Sequence, residues 1–212
     1  MSIQKSLATI EPARNLLGAP SKHVGASGEI RVASIPASHP YVRHLADPDG
    51  ADGVVRLPDP GDPWWPPAML DPEWVAAHVG SFDVMHVHFG FDTCRPQDLE
   101  AVSDLLVAAR TPLVVTVHDL RNPHHESHEP HRSQLAVLVE RADAVVTLTQ
   151  WAADRLRDDY GVRAEVIPHP HIVELDDLRL RQSRPRAATA IVGLHLKSVR
   201  ANMELDVLEE AL

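Results

Sequence analysis

Histidine is the residue type in this sequence that could carry chemistry, since 14 of the 212 residues are histidines. His86 and His88 lie two residues apart in the apolar segment VMHVH, so on a strand both point to one face. His118 and Asp119 directly follow the apolar run PLVVTV. The segment HDLRNPHHESHEPH, which we interpret as one loop, adds further imidazoles at His124, His125, His128 and His131.

Three interpretations of these histidines stay open from the residues alone. Imidazole suits zinc or nickel, and Asp119 and Glu126 are close in sequence, so the loop could bind a metal. However, Pro123 and Pro130 bracket the segment and leave no histidine pair on an obvious helix, which favours a substrate-facing or solvated loop. His86 could equally be a core histidine.

Other candidate residues carry weaker signals. Trp64 and Trp65 could stack on a sugar, but we interpret them as core residues, and Cys94 as a small buried apolar residue. Lone basic residues that could hold a phosphate are Arg121, Arg132 and Lys197. The sequence contains no GxGxxG, GxxxxGK[ST], GxSxG or HExxH motif, which removes the main support for a dinucleotide-dependent oxidoreductase.

The elements that must position the histidines follow a regular alternation. Apolar strand-like runs lie at 84–88, 112–117, 144–148 and 164–167, with a first strand in EIRVASI and a short one around Val54 and Val55. Helical patterns separate the four later runs. Pro96 suits the first position of the first helix, Thr149 can cap the third, and Gly161 can end it.

This alternation predicts an α/β fold with a Rossmann-like, doubly wound, mainly parallel sheet over residues 29–172. Such sheets bind ligands outside the carboxyl ends of their strands. We therefore expect His88 and His118 to open into one crevice.

Outside this domain, composition suggests three further segments. Residues 1–28 have no clear period and predict a flexible N-terminal tail, whereas the charged residues 173–186 predict a linker. Residues 187–212 predict one strand and one helix, which cannot bury their apolar faces alone. They either dock on the first domain or open a second one.

Charge and composition limit the partners and the compartment. The net charge is −10, from 20 Lys and Arg against 30 Asp and Glu, so we predict no nucleic-acid partner. Cys94 is the only cysteine, which suggests a reducing compartment. The N-terminus lacks the apolar region of a signal peptide, and no apolar stretch approaches membrane-spanning length. We predict a cytoplasmic protein without a transmembrane segment.

Five segments together resemble a known family. They are DVMHVHFGF (83–91), TPLVVTVHDLRNPHH (111–125), ADAVVTLTQWAADRL (142–156), AEVIPHPHI (164–172) and IVGLHLKSVRANMELDVLEEAL (191–212). In this order they resemble the N-terminal domain and the opening of the C-terminal domain of family 4 retaining glycosyltransferases. The resemblance covers residues 29–212.

The resemblance implies a GT-B enzyme, in which the active site lies between two Rossmann-like domains. The N-terminal half mainly holds the acceptor, and the C-terminal half holds a nucleotide-sugar donor. Catalysis in this family usually needs no metal, and we predict no cofactor. The resemblance also allows peripheral membrane contact in the full-length enzyme.

The family pattern implies roles for individual residues. His118 matches the cleft histidine that lies against the donor sugar, and we predict that it is catalytic. Retention is assigned to front-face attack, in which the donor phosphate takes the acceptor proton. Substrate-binding roles are predicted for His88, Asp119, Arg121, His124, His125, Lys197 and Arg200.

Two departures from the family pattern qualify this prediction. The loop ASIPASHPYVRHL lacks the glycines that many relatives carry after the first strand, and Ser38 or His39 could replace that contact. The acidic E-x7-E segment of the donor pocket is expected beyond Leu212, so we expect the 212-residue chain alone to transfer no sugar. The alternatives are a stand-alone acceptor- or carbohydrate-binding module without activity, and a His-rich metal-binding protein.

Overall fold

The sheet is the framework of the protein in a computed structural model that describes residues 28–47, 49–122 and 127–182. Its six strands are all parallel. They are β1 (Ile30–Ile35), β2 (Val54–Arg56), β3 (Val84–Val87), β4 (Leu113–Val117), β5 (Ala144–Thr147) and β6 (Ala164–Val166). The helices are α1 (Pro40–Arg43), α2 (Pro72–His78), α3 (Pro96–Ala109), α4 (Glu129–Arg141), α5 (Gln150–Tyr160) and α6 (Leu175–Gln182).

The strand order β2-β1-β3-β4-β5-β6 reverses direction beside β1. The chain steps from β1 outward to β2, returns past β1 to β3, and then continues outward through β6. Crossovers between parallel strands are right-handed. Connections that move along the sheet in opposite directions therefore place their helices on opposite faces of the sheet. The reversal also leaves a crevice at the carboxyl ends of β1 and β3, which is the usual ligand site of this architecture.

The start of α3 and both ends of α5 fall where local sequence signals predict them. Helix α3 begins at Pro96, whose missing amide hydrogen costs nothing in a first turn. The Thr149 hydroxyl accepts a hydrogen bond from the amide of Ala152 at 3.2 Å and caps α5. Gly161 ends α5 with φ of 70°, a left-handed conformation that glycine adopts without a steric penalty.

The core lies against the central strands. In β4, Leu113, Val115, Thr116 and Val117 are buried, so neighbouring residues that point to opposite faces are both covered. Leu99, Val102 and Leu106 of α3 form one apolar face and join the same core cluster. The predicted doubly wound α/β sheet is confirmed, and its strands are all parallel.

Three helices were not predicted from sequence: α1, α2 and α6. Helix α2 is capped by Asp71, whose carboxylate accepts from the amide of Glu73 at 2.7 Å, and only Val75 of this short helix is buried. With so little apolar surface, α2 has almost no periodic pattern to detect. Helix α6 occupies most of the range 173–186 that we assigned to a linker.

The predicted N-terminal tail, apart from Gly28, and the predicted start of a second domain at 187–212 lie outside the described residues. Of the helices that the structure describes, none combines the length and the apolarity that crossing a bilayer requires.

The segment after β1 is fixed by a carboxylate. Asp59 accepts hydrogen bonds from the backbone amides of Ala37 and Ser38, each at 2.9 Å. His39 follows directly and caps α1, since its Nδ1 accepts from the amide of Tyr41 at 3.2 Å. The loop that lacks glycine is therefore held by side-chain acceptors, which set the positions of His39 and Tyr41 at the crevice.

Candidate functional site

A cavity of about 410 Å³ opens at the carboxyl edge of the sheet. We call it the aromatic cavity and define it by Trp64, Trp65, His88, Phe89, Phe91 and His118. His88 and Phe89 follow β3, and His118 follows β4, so the parallel pairing of these strands brings the residues together. The predicted proximity of His88 and His118 is confirmed, with ring centroids 6.2 Å apart.

Among the histidines that the structure describes, His88 is the most deeply buried, at 2% exposure. Its backbone amide donates to the carbonyl of Ile35 at 2.9 Å, which extends the β1–β3 pairing up to the cavity. Burial, followed by the nearby ring of His86, lowers the pKa of His88 to about 2. The ring is therefore neutral at neutral pH, and its Nδ1 has no hydrogen-bond partner among the described residues.

His86 occupies a different position from His88 although both rings lie on one face, with centroids 3.9 Å apart. Its Nε2 and the Thr116 hydroxyl oxygen lie 2.8 Å apart, a hydrogen bond that links β3 to β4. Burial also lowers the pKa of His86 to about 4. Because His86 is not among the cavity-lining residues, the structure favours the core interpretation for this histidine.

His118 is held in place by aromatic edges. Its ring centroid lies 4.4 Å from that of Tyr41 and 5.3 Å from that of Phe89, both in edge-to-face geometry. Burial lowers the pKa of His118 to about 4, with a smaller contribution from His169. The neutral ring leaves its buried Nε2 without a hydrogen-bond partner among the described residues.

The histidine-rich segment is not one loop, and this interpretation was wrong. His131 lies in the first turn of α4, is only 6% exposed, and stacks on Phe91 with centroids 5.3 Å apart. Pro130 is compatible with helix at that point because a first turn needs no amide donor. His131 Nε2 lies 3.0 Å from the carbonyl oxygen of Asp119 and must donate to it, since a carbonyl can only accept.

The tryptophans were also assigned wrongly, because they line the cavity instead of joining the core. Trp65 is 45% exposed, in a proline-rich loop without regular structure. Trp64 packs over Gly90, where a Cβ would come within 2.7 Å of the ring atom Cζ3. Gly90 also has φ of 92°, so this position needs glycine for both space and backbone conformation.

A second cavity of about 990 Å³ begins on the other side of His118 and Asp119. We call it the arginine groove and define it by His118, Asp119, Arg121, Arg132, Thr149 and Arg155. Arg155 pairs with Asp159 on α5, with an N–O distance of 2.6 Å. Arg121 and Arg132 are exposed, and neither forms an ion pair with a described residue.

Some predicted residues cannot be placed. His124, His125, Lys197 and Arg200 lie outside the described residues, whereas His88, His118, Asp119 and Arg121 all line one or both cavities. Within the described ranges, no group of three or more His, Cys, Asp and Glu side chains is arranged to hold a metal ion. Cys94 is half-buried against the core, and burial raises the pKa of its thiol to about 11.

Tyr41 is the residue at this site that sequence reasoning missed. It is 4% exposed and contacts the rings of His88, His118 and His169. The segment His39-Pro40 carried the available signal, because a capping side chain followed by proline predicts a helical turn. That turn directs Tyr41 inward, between histidines that are distant in sequence.

The fold is that of a Rossmann-like α/β protein with an all-parallel sheet and a cavity at the carboxyl edge of that sheet. A family model described as Glycosyltransferase Family 4 matches residues 30–174, which is more than half of the chain. The chain therefore belongs to Glycosyltransferase Family 4, and the predicted family resemblance is confirmed. No curated protein matches the sequence.

Proposed function

We propose that this chain is the acceptor-side part of a retaining glycosyltransferase that uses a nucleotide-sugar donor and has His118 at its reaction centre. The observation that supports it most directly is the position of His118. This residue lies where the aromatic cavity and the arginine groove meet, and its buried Nε2 has no hydrogen-bond partner in the described chain.

The two cavities suggest how donor and acceptor would be arranged. The donor sugar would lie against His118, with its phosphates towards Arg121 and Arg132 in the arginine groove. Guanidinium groups bind phosphate oxygens through paired N–H donors. By the family resemblance, Asp119, His124 and His125 would contact the substrates, and Lys197 and Arg200 would bind the donor.

In the proposed reaction, the acceptor hydroxyl oxygen attacks the anomeric carbon on the face from which the nucleotide leaves. The bond between that carbon and the phosphate oxygen breaks, and its electron pair remains on the phosphate. The phosphate takes the proton of the acceptor hydroxyl. Positive charge grows on the sugar ring meanwhile, and a neutral, fixed imidazole beside it stabilises that charge more effectively than mobile water would.

A neutral His118 fits this role better than a charged one. Burial lowers its pKa to about 4, so the ring carries no positive charge at neutral pH that would oppose the developing oxocarbenium ion. The Nε2 side of the ring presents either a lone pair or an N–H group to the sugar, depending on the tautomer.

The test is a transfer assay with an enzyme form that carries both halves of the cleft, which means this chain together with a complete donor-binding C-terminal domain. A panel of nucleotide-sugars is incubated with saccharide acceptors, and the product anomer is read by NMR. We expect transfer with retention of the donor configuration and no loss of rate in EDTA. Inversion of the anomer, or loss of activity that added metal restores, would contradict the proposed mechanism.

A further inference from the structure

Aromatic side chains form one wall of the aromatic cavity. Trp64 and Phe89 lie with their ring centroids 6.0 Å apart in edge-to-face geometry, and Trp65 and Phe91 line the same space. The C–H face of a pyranose ring is apolar and slightly positive, so it packs well on the negative face of an aromatic ring. A flat ring ligand with such a face would fit this wall.

The charges around the cavity disfavour an anion. Among its described lining residues there is no Lys or Arg, whereas Asp92 and Asp119 carry carboxylates. His88 and His118 are neutral, because burial lowers the pKa of the former to about 2 and of the latter to about 4. A phosphate or carboxylate entering here would lose water without gaining a cation, which is costly in free energy.

The unsatisfied polar atoms of the cavity point to a ligand with hydroxyl groups. Four buried side-chain atoms of the described residues lack a hydrogen-bond partner. Three are ring nitrogens of residues that line this cavity: His88 Nδ1, His118 Nε2 and His131 Nδ1. A buried polar atom without a partner is costly, so a ligand hydroxyl that displaces the neighbouring atoms and reaches one of these nitrogens would relieve that cost.

Hydroxyl groups are suited to such nitrogens. His131 donates from Nε2 to a carbonyl, so in the neutral ring Nδ1 is an acceptor. The tautomers of His88 and His118 are not fixed by a comparable bond. A hydroxyl can donate to an acceptor nitrogen and accept from an N–H group, so a polyol matches either tautomer.

We propose that the acceptor is an uncharged saccharide whose ring packs on Trp64 and Trp65 in the aromatic cavity and whose hydroxyls bind His88, His118 and His131. This proposal rests on the proposed glycosyltransferase function and adds the chemical class of the acceptor. The cavity volume of about 410 Å³ falls within the usual range for small-ligand pockets. The same lining disfavours phosphorylated sugars and other anionic acceptors.

The experiment uses the purified 212-residue chain and a panel of neutral saccharides: glucose, mannose, galactose and maltose. Binding is followed by saturation-transfer NMR and tryptophan fluorescence, and each monosaccharide is compared with its 6-phosphate. We expect at least one neutral saccharide to bind, and its 6-phosphate to bind at least about tenfold more weakly, since the phosphate finds no cation.

Substitutions locate the binding site. Trp65→Ala is expected to weaken saccharide binding by about fivefold or more, because it removes a stacking face from an exposed loop. Trp151→Ala is the matched control for the other cavity: Trp151 on α5 is 68% exposed and lines the arginine groove but not the aromatic cavity. It should leave the affinity unchanged. Circular dichroism of each variant confirms that the fold is retained.

Several outcomes would overturn the proposal: tighter binding of the 6-phosphates, equal binding by Trp65→Ala, or no binding by any neutral saccharide. Two further results separate a wrong acceptor class from a wrong glycosyltransferase function. If the enzyme form with both cleft halves transfers sugar only to anionic acceptors, the acceptor class is wrong and the function stands. If neutral saccharides bind as expected but no nucleotide-sugar is used, the glycosyltransferase function is wrong.

Discussion

The aromatic cavity and the arginine groove share His118 and Asp119 but differ in almost every other property. The first is lined by aromatic rings and neutral imidazoles. The second carries three arginines, of which two form no ion pair with a described residue. The proposed substrate sites use this contrast, since we propose an uncharged ring on one side of His118 and an anion on the other.

The difference follows from where the side chains originate. Residues of the aromatic cavity come largely from strand ends next to the core, where burial disfavours charge. Arg132 and Arg155 extend from α4 and α5, whose outer surfaces contact water. Charges there are hydrated and screened, so each contributes less than a buried group does. Four predictions use this contrast, in order of decreasing effect.

The largest effect is expected at the residue common to both cavities. In an enzyme form with both cleft halves, His118→Ala should lower kcat by about a hundredfold, or about 3 kcal/mol, because it removes a group that stabilises the transition state. KM for the donor should change much less. Steady-state kinetics checks this, and His78→Ala is the control, since the exposed His78 lies on α2 away from both cavities.

If His118 only packs against its neighbours, the substitution should lower stability and leave kcat unchanged. Its ring contacts Tyr41 and Phe89, so its removal could loosen the strand end without affecting catalysis. In that case Tm would fall while kcat of the folded enzyme stayed near normal. Measuring both quantities on one preparation separates the two roles.

The second prediction concerns the aromatic cavity alone. Gly90→Ala would place a Cβ 2.7 Å from Trp64 Cζ3 at a backbone with φ of 92°, so the ring must move. We expect a loss of about 1–3 kcal/mol in the free energy of unfolding, measured in urea, together with weaker saccharide binding. Gly80→Ala is the control, because a Cβ there meets nothing within 4 Å. Equal losses in both variants would contradict the packing of Trp64.

The third prediction concerns the buried histidines at and beside the aromatic cavity, which acid should protonate at a cost in stability. The folded-state pKa is about 4 for His86 and His118 and about 2 for His88, below the ordinary value of 6.5. As the pH falls through 6.5, the unfolded chain therefore binds protons that the folded chain does not. The stability present above pH 6.5 is lost as the pH falls, down to about pH 4 for His86 and His118 and to lower pH for His88.

Urea unfolding at pH 7 and pH 5 measures this loss. His86→Gln should reduce the pH slope because it removes one titrating ring while keeping a partner for Thr116. A slope that is unchanged in this variant would show that carboxylates, and not the buried histidines, determine the acid sensitivity.

The smallest effect is expected in the arginine groove. Arg121→Gln or Arg132→Gln should weaken nucleotide-sugar binding by about two- to fivefold, a cost below about 1 kcal/mol, because exposed ion pairs are weak. The loss should grow at low salt and leave binding of neutral saccharides unchanged. Arg157→Gln on α5, where Arg157 pairs with Asp154, is the control for removal of a cation outside the groove. Binding is measured by calorimetry at two ionic strengths.

Much of the framework could be predicted from the sequence because its signals are local. The apolar run PLVVTV, Pro96, Thr149 and Gly161 each indicate an element or its end from a few neighbouring residues. Parallel strand order then places His88 and His118 together, as predicted. The loop interpretation of His131 failed because Pro130 was taken as a helix breaker, although a first turn accepts proline.

By itself, the sequence determined the parallel α/β sheet, its helix caps and the edge at which the histidines lie, since burial patterns and capping side chains act over short distances along the chain. Only the tertiary structure decided that Trp64 packs over Gly90 and that Tyr41 lies between His88, His118 and His169. It also decided which histidines are neutral and which arginines form no ion pair with a described residue. The physical reason is that desolvation and ring packing depend on which distant segments meet, and the order of residues does not state this directly.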